Sequence, residues 1–341
     1  MTAGIIDDKS LWDGFVDKSP YGLLFHKWDF LKIMEKYSGM QLLPYGIYKG
    51  NELICLFPLF FRRANGLKML YSPPILLLTY IPYLGFVMCE AYDELRQLKK
   101  EHYLDLVVAD FQAEIARLSP NVVSIYTAPR LTDVRSFLWG GYSMKTQYNY
   151  VIDLRDPVDA LWGRLEKKLK ARLRAMEKRS GELEIKIEND PHTMFRIMRK
   201  KLAGEGHTFW HNQRPEYLKA IHAAYPDNVR TYQLLENSEI VSMLVTIEYK
   251  GRVSAWMGGS PKDGDYSEYL TWNIMKMAKA KGFTSYENPD ANTKRLCLFK
   301  TKFNPGLECC QYLYKKDAFG NMAGKAFYTA MNVPLLRGLI K

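Results

Sequence analysis

The segment from Trp256 to Gly306 constrains the fold of this 341-residue chain more than any other. Two runs rich in β-branched and aromatic residues lead into it, and Lys250-Gly251 between them is typical of a hairpin turn. Gly258-Gly259-Ser260-Pro261 ends the second run. Apolar residues then recur at helical spacing from Tyr266 to Ala280, and Lys281-Gly282 closes that helix. The pattern predicts strand, turn, helix and strand in that order.

This order places a turn rich in backbone N–H groups at the N-terminus of a helix. Such a turn suits a phosphate group or a developing oxyanion, because the N–H groups have no partner within the helix. Acyl transfer to an amine needs a neutral amine, a polarised carbonyl and a protonated leaving group. The segment therefore predicts an acyl-transfer site that requires no catalytic metal.

Four pieces of the segment resemble the Fem-type transferases, which add amino acids to peptidoglycan precursors from aminoacyl-tRNA. The resemblance extends to the related FemAB-like and BioF2-like members of the GNAT acyltransferase superfamily. The pieces are Gly258-Gly259-Ser260, the helix ending at Gly282, Tyr286-Glu287 where the family often has Tyr-Asp, and Leu298-Phe299-Lys300-x-x-Phe303, which is similar to Phe-Lys-x-x-Phe-Gly. The chain departs from the family at two positions. Asn304-Pro305-Gly306 follows Phe303 where the family prefers glycine directly, and Asn288-Pro289 stands where a Gly-Gly is usual.

The length of the chain favours two domains rather than one core. Both halves of the sequence run helices, antiparallel hairpin, helix and strand. We predict an α/β (α+β) fold of two tandem GNAT-like domains, as the resemblance also implies, each a mixed, largely antiparallel sheet flanked by helices. The predicted boundaries are 1–148 for an N-terminal domain on the acceptor side and 149–341 for a C-terminal domain on the donor and catalytic side. No heptad pattern indicates a long helical arm.

Positive charge is concentrated in one predicted helix, residues 157–180. The net charge is +11, and residues 164–179 contain eight basic and two acidic residues. The apolar stripe of this helix consists of Leu161, Leu165, Leu169, Leu173 and Met176. The basic face is either a solvated surface or a phosphate-binding surface. The resemblance implies a basic helix near the approach of phosphate-bearing substrates or tRNA, with the candidate contacts Lys167, Lys170, Arg172 and Arg174.

Lys300 is the first candidate for a chemical role. Its ammonium could stabilise a carbonyl oxyanion or a donor phosphate, and the resemblance places an important lysine at this Phe-Lys step; the alternative is an exposed strand lysine. Glu287 and Asp290 are candidates to accept the proton of the acceptor amine or to hold that amine, or else they are loop carboxylates. Tyr286 could protonate the leaving group, or it belongs to the core. The resemblance adds the substrate or phosphate contacts Lys27, Ser260, Phe299 and Phe303.

Other patterns favour a cytoplasmic protein without a resident cofactor. Five cysteines without CxxC spacing fit a reducing compartment. The N-terminus has no signal-peptide pattern, and prolines interrupt the apolar run from Met69 to Met88, which therefore reads as strand and loop rather than a membrane span. The pair His207 and His211 lacks an HExxH glutamate, and residues 205–213 are better interpreted as a mobile aromatic loop, which either covers a substrate or packs on the surface.

The donor is the main alternative that the sequence leaves open. Aminoacyl-tRNA is favoured as co-substrate because Pro261 removes an amide from the turn, while Asp263 and Asp265 add negative charge where the pyrophosphate of CoA would bind. Acyl-CoA as co-substrate is the second hypothesis, with a small-molecule acceptor. A non-catalytic protein that binds RNA or an anionic membrane surface is the third. The acceptor is expected to be an amine, phosphate-bearing or part of a cell-envelope precursor.

Overall fold

A computed structural model describes residues 3–74, 81–204, 215–262 and 264–332. Its strands are β1 Ala3–Ile5, β2 Gln41–Lys49, β3 Glu52–Ala64, β4 Leu67–Ser72, β5 Val87–Met88, β6 Val122–Tyr126, β7 Ser143–Asp153, β8 Leu183–Ile187, β9 Val229–Glu236, β10 Glu239–Tyr249, β11 Arg252–Gly259, β12 Ser285–Asn288 and β13 Gly306–Lys316. They form one sheet in the order β1-β2-β3-β4-β6-β13-β7-β12-β11-β10-β9-β8, and β5 pairs with β3. Only β4–β6 and β11–β12 are parallel pairs among the described residues.

Helices flank this sheet. They are α1 Lys9–Lys18, α2 Trp28–Ser38, α3 Gln97–Leu118, α4 Arg135–Trp139, α5 Val158–Arg164, α6 Lys167–Glu177, α7 Pro191–Gly204, α8 Pro215–Ala224, α9 Tyr266–Ala280, α10 Lys294–Lys300 and α11 Ala318–Asn332. The predicted bounds of α9 are confirmed. Gly282 beyond it has φ +85°, the left-handed conformation that favours glycine after a helix. The predicted mixed, largely antiparallel sheet flanked by helices is confirmed.

The last strand joins the two halves of the chain. β13 lies between β6 and β7 and is antiparallel to both, so that Leu313 lies opposite Ile125 on one side and Met144 on the other. A strand late in the sequence thus completes the sheet beside an early one. The boundary between residues 148 and 149 falls within β7, and the division into 1–148 and 149–341 stays a prediction.

The hairpin between β10 and β11 also contacts the N-terminal half. Lys250 and Gly251 both have positive φ at its tip, as predicted for this turn. The Lys250 ammonium donates to the carbonyls of Val16 (2.5 Å) and Ser19 (2.7 Å) at the end of α1. The bond to Val16 satisfies a carbonyl that the end of α1 leaves without a helical partner, and both bonds fix the hairpin against α1.

The pairing between β11 and β12 is short, and it determines where a cavity opens. The two strands pair only from Arg252 opposite Ser285 to Ser254 opposite Glu287. β11 continues alongside β10 to Gly259, whereas β12 ends one residue after Glu287. Within the described residues, the β11 edge beyond Ser254 has no strand partner on the side of β12.

The basic segment forms two helices, so the prediction of a single helix over residues 157–180 is wrong. Leu165 and Glu166 are extended between α5 and α6. The backbone N–H of Glu166 donates to the carbonyl of Lys302 at 2.9 Å, and this tertiary bond overrides the local helix propensity. The predicted apolar stripe is confirmed, since its members are all buried: Leu161, Leu165, Leu169, Leu173 and Met176.

Lys302 also stabilises the start of α9. Its Nζ lies 2.9 Å from Glu268 Oε1, and Arg172 Nη2 lies 3.9 Å from the same oxygen. Asp265, the N-cap residue of α9, pairs with Arg172 at 3.1 Å. Glu268 is 6% exposed and lies in the first turn of α9, where the helix dipole favours a negative charge. Two cations thus compensate two carboxylates at this helix end.

His26 is completely buried at the end of a 3₁₀ turn, Leu24–His26. Its Nδ1 accepts from the backbone N–H of Leu23 (3.1 Å), and its Nε2 donates to the carbonyl of Leu84 (3.0 Å). This pattern requires a neutral ring. Burial lowers the pKa of His26 to about 3.

The pKa of His26 predicts sensitivity to acid. The His26 ring of the unfolded chain takes up a proton at about pH 6.5, whereas that of the folded chain takes it up only at about pH 3. The free energy of unfolding should therefore fall as the pH decreases through this window. Urea denaturation of His26→Gln should show a smaller pH slope than the parent, and the exposed-residue control His102→Gln should keep the parent slope. An unchanged slope in His26→Gln would contradict the assignment.

Lys302→Met should lower the free energy of unfolding by about 1–3 kcal/mol, because it weakens the compensation of a buried carboxylate. Lys262→Met is a matched control: Lys262 pairs with Glu239 at 2.7 Å, but the two side chains are 47% and 71% exposed. An exposed pair contributes about 0–1 kcal/mol. Urea denaturation at neutral pH measures both variants, and equal losses would show that Lys302 has no special structural role.

Candidate active site

A cavity of about 840 Å³ opens where β11 and β12 separate. We call it the splay cavity. Its walls are the ends of β11 and β12, the turn after β11, the first turns of α9 and the helix α10, together with parts of β10 and α7. It brings together five of the predicted site residues: Ser260, Tyr286, Asp290, Phe299 and Lys300.

Lys300 is the last residue of α10 and is 8% exposed, so the alternative of an exposed strand lysine is wrong. Its ammonium donates to the carbonyls of Pro289 and Asp290, the latter at 2.8 Å. These bonds use two of its three N–H groups. Burial lowers the pKa of Lys300 to about 8, and the nearby Asp290 carboxylate opposes this shift. A buried ammonium with a remaining N–H can stabilise an oxyanion.

Tyr286 and Asp290, the predicted proton-transferring groups, both line the cavity. The Tyr286 hydroxyl is buried and has no hydrogen-bond partner within the described part of the chain. Burial raises the pKa of Tyr286, which keeps its hydroxyl protonated and able to donate. Asp290 has a φ of +65°, and its Oδ1 accepts from the backbone N–H of Asn292 at 3.3 Å.

Ser260 and the two phenylalanines shape the walls. Ser260 Oγ lies 2.6 Å from Ser267 Oγ, and this hydrogen bond connects the turn after β11 to α9. Phe299 lines the cavity, whereas Phe303 is 3% exposed and packs behind it with ring centroids 6.2 Å apart. Phe303 is thus a support of the wall.

Glu287 faces the opposite side of the sheet. Neighbouring residues of a strand point to opposite faces, so Tyr286 and Glu287 line different cavities. Glu287 borders a second cavity of about 260 Å³, where its Oε2 accepts from Tyr83 Oη at 2.6 Å. Burial raises the pKa of Glu287, while the charge of Arg252 and the Tyr83 hydrogen bond oppose the shift. The alternation along β12 separates these two candidates once the strand is known to include both residues.

The predicted phosphate contacts of α6 lie outside the splay cavity but close to its wall. Lys167 and Arg174 are exposed on α6. Lys170 donates to a backbone carbonyl of α5 at 2.6 Å, and Arg172 pairs with the two carboxylates at the start of α9. A hydrogen bond of 3.2 Å from Tyr269 joins α9 to α6. The exposed basic face therefore adjoins a helix that lines the cavity, a relation that sequence reasoning missed.

Lys27 lies apart from both cavities. A helix begins at Trp28, and Lys27 is the extended residue before it. Its Nζ lies 2.9 Å from Asp17 and 3.7 Å from Asp13. The structure thus gives Lys27 two carboxylate partners of its own.

Other predicted features concern metals, thiols and membranes. No cluster of His, Cys, Asp and Glu suitable for a metal occurs in the described residues, and His207, His211 and the loop 205–213 lie outside them. All five cysteine thiols are free. In the part of the chain that the structure covers, every helix is too short or too polar to cross a membrane.

Comparisons with known proteins agree with this architecture. Residues 163–293 match the family model of the acetyltransferase (GNAT) domain. Three solved structures are similar: FemX (13% identity, 91% of this chain and 97% of that one, TM-score 0.65), L-PGS from Bacillus licheniformis (14%, 92% and 94%, 0.54) and a conserved protein from Bacteroides thetaiotaomicron (12%, 92% and 99%, 0.53). No curated protein matches the chain.

The matched GNAT segment contains the predicted strand, turn, helix and strand, together with α6 and most of the splay cavity. The likeness to FemX extends over both halves of the chain, and it confirms the Fem-type resemblance and the tandem GNAT-like fold. The chain carries a GNAT acetyltransferase domain within a Fem-type fold, and it is an acyltransferase.

Proposed function

We propose that the protein transfers an aminoacyl group from aminoacyl-tRNA to an amine acceptor and that the splay cavity is its active site. The observation that carries the proposal is the position of Lys300. Its buried ammonium borders a cavity of about 840 Å³ beside the part of β11 that does not pair with β12. An oxyanion that forms there would meet a charged hydrogen-bond donor.

In the proposed reaction the acceptor amine attacks the carbonyl carbon of the donor ester. The new C–N bond forms, and the negative charge that develops on the carbonyl oxygen is stabilised by the third N–H of Lys300. The C–O ester bond then breaks, and Tyr286 donates its proton to the departing ribose oxygen. The amine proton passes to the Asp290 carboxylate, and proton exchange with water restores both side chains.

The charges near the turn favour a donor other than CoA. Pro261 removes one N–H from the turn, and Glu268 is a buried carboxylate in the first turn of α9 and lines the cavity. A pyrophosphate at this helix end would meet that carboxylate, although Lys302 and Arg172 compensate part of its charge. The exposed basic face of α6 offers a separate surface for the phosphates of tRNA.

The wider assignment follows from this chemistry. Residues 149–341 are the proposed donor and catalytic side, and residues 1–148 are the proposed acceptor side. The acceptor is proposed to be a phosphate-bearing amine or a cell-envelope precursor. Aminoacyl-tRNA occurs in the cytoplasm, so we propose that compartment for the reaction.

Lys300→Met should lower kcat about 10²–10³-fold, the usual cost of removing one oxyanion donor. Since the pKa of Lys300 is about 8 and its charged form is the active one, kcat of the parent should fall as the pH rises above about 8. Lys276→Met, on the part of α9 away from the cavity lining, should keep the parent rate. Transfer assays across pH measure these rates. Full activity of Lys300→Met would contradict the proposed role.

Binding of tRNA tests the choice of donor. The parent should bind aminoacyl-tRNA with an affinity that falls steeply with salt, and Lys167→Ala/Lys168→Ala should reduce the slope of log K against log salt by about one to two. The matched control Arg96→Ala/Lys99→Ala removes two charges before and within α3 and should keep the parent slope. No salt-dependent tRNA binding, together with micromolar binding of acetyl-CoA by calorimetry, would replace this donor by acyl-CoA.

A further inference from the structure

The second cavity, of about 260 Å³, lies on the opposite face of the sheet from the splay cavity. We call it the interdomain cavity, since residues 20–25 of the N-terminal half and strands β11 and β12 form its walls. Glu287 and Arg252 border it from the sheet, and Arg130 and Lys250 border it from the surrounding turns. The acyl-transfer chemistry proposed above uses none of these side chains.

One oxygen of Glu287 is buried without a hydrogen-bond donor. Glu287 is 1% exposed, and its Oε2 accepts from the Tyr83 hydroxyl. Its Oε1 has no hydrogen-bond partner among the described residues. Arg252 Nη1 is 3.8 Å from Oε1, beyond hydrogen-bond distance, and its guanidinium is held by Glu308 at 2.7 and 3.2 Å. Buried carboxylate oxygens normally have a donor, so Oε1 is able to accept a hydrogen bond from a ligand.

The rest of the lining limits what that ligand can be. The side chain of Arg130 is 55% exposed at the cavity, and its only ion-pair partner within the described residues, Asp93, is 3.6 Å away. Lys250 is bound to two backbone carbonyls of the N-terminal half. Aromatic rings form part of the wall, and such rings favour a cation over their faces: Tyr21, Phe25, Tyr83 and Tyr249. Among the described residues, the interior of the cavity thus has a carboxylate oxygen without a hydrogen-bond donor, and its open side has a solvent-accessible guanidinium.

We propose that the interdomain cavity binds a small zwitterion, with its ammonium group donating to Glu287 Oε1 and its anionic group facing Arg130. An ammonium has three N–H donors and can donate to Oε1, from which Arg252 is 3.8 Å away and therefore makes an ion pair without a hydrogen bond. The cavity volume accommodates a molecule of the size of an amino acid. This site is separate from the splay cavity, and binding to it does not depend on which donor the enzyme uses.

Isothermal titration calorimetry of the full chain tests the proposal with glycine, β-alanine and 4-aminobutyrate as zwitterions. Ethylamine and propionate each carry one of the two charges. At least one zwitterion should bind about tenfold more tightly than either singly charged compound. Glu287→Gln should weaken its binding about tenfold or more, whereas Glu248→Gln, which alters a buried carboxylate on β10 outside the cavity lining, should change the affinity by less than about twofold.

A second variant keeps the test decisive if Glu287→Gln does not fold. Arg130 is largely exposed, so Arg130→Met should fold; it should weaken zwitterion binding and leave ethylamine binding unchanged. The proposal is overturned if no zwitterion binds at about 10 mM, if ethylamine binds as tightly as the zwitterions, or if both variants bind like the parent. Failure here leaves the transfer reaction at Lys300 untouched, because that reaction is assayed independently.

Discussion

The separation of β11 from β12 is the constraint on which the functional part of this structure depends. Because the strands pair over only three positions, the sheet opens at a place that an ordinary parallel pair would close. The turn after β11, the start of α9 and the helix α10 form the walls of the resulting cavity. If the pairing continued, the unpaired edge of β11 and the space in front of Lys300 would both be lost.

Buried charge is distributed in pairs around this opening. At the start of α9, Lys302 pairs with Glu268 and Arg172 pairs with Asp265. The positive end of this helix therefore already has carboxylates of the chain beside it. Lys300 instead bonds to backbone carbonyls, and no carboxylate of the described residues is bound directly to its ammonium. Its charge therefore remains available to a group that becomes negative during a reaction. This difference distinguishes the catalytic lysine that we propose from its structural neighbour.

Much of the local structure was predictable because its signals are local. The helical spacing and the glycine at 282 define α9, and Lys250-Gly251 defines the hairpin between β10 and β11. The break between α5 and α6 was not predictable, since it depends on a bond from Glu166 to Lys302, which lies far away in sequence. The burial of Lys300 was not predictable either, because it depends on tertiary packing rather than on the local sequence. The opposite orientation of Tyr286 and Glu287 follows from strand periodicity, but only once β12 is known to continue through both residues.

The central claim is that acyl transfer takes place in the splay cavity with the carbonyl oxygen at Lys300. A crystal structure with a non-hydrolysable aminoacyl-adenosine amide, which mimics the 3′ end of aminoacyl-tRNA, tests it most directly. The account predicts the amide carbonyl between the ends of β11 and β12, with its oxygen about 3 Å from Lys300 Nζ. Binding of the analogue on the other face of the sheet, or with its carbonyl beyond hydrogen-bond distance of Lys300, would contradict the account.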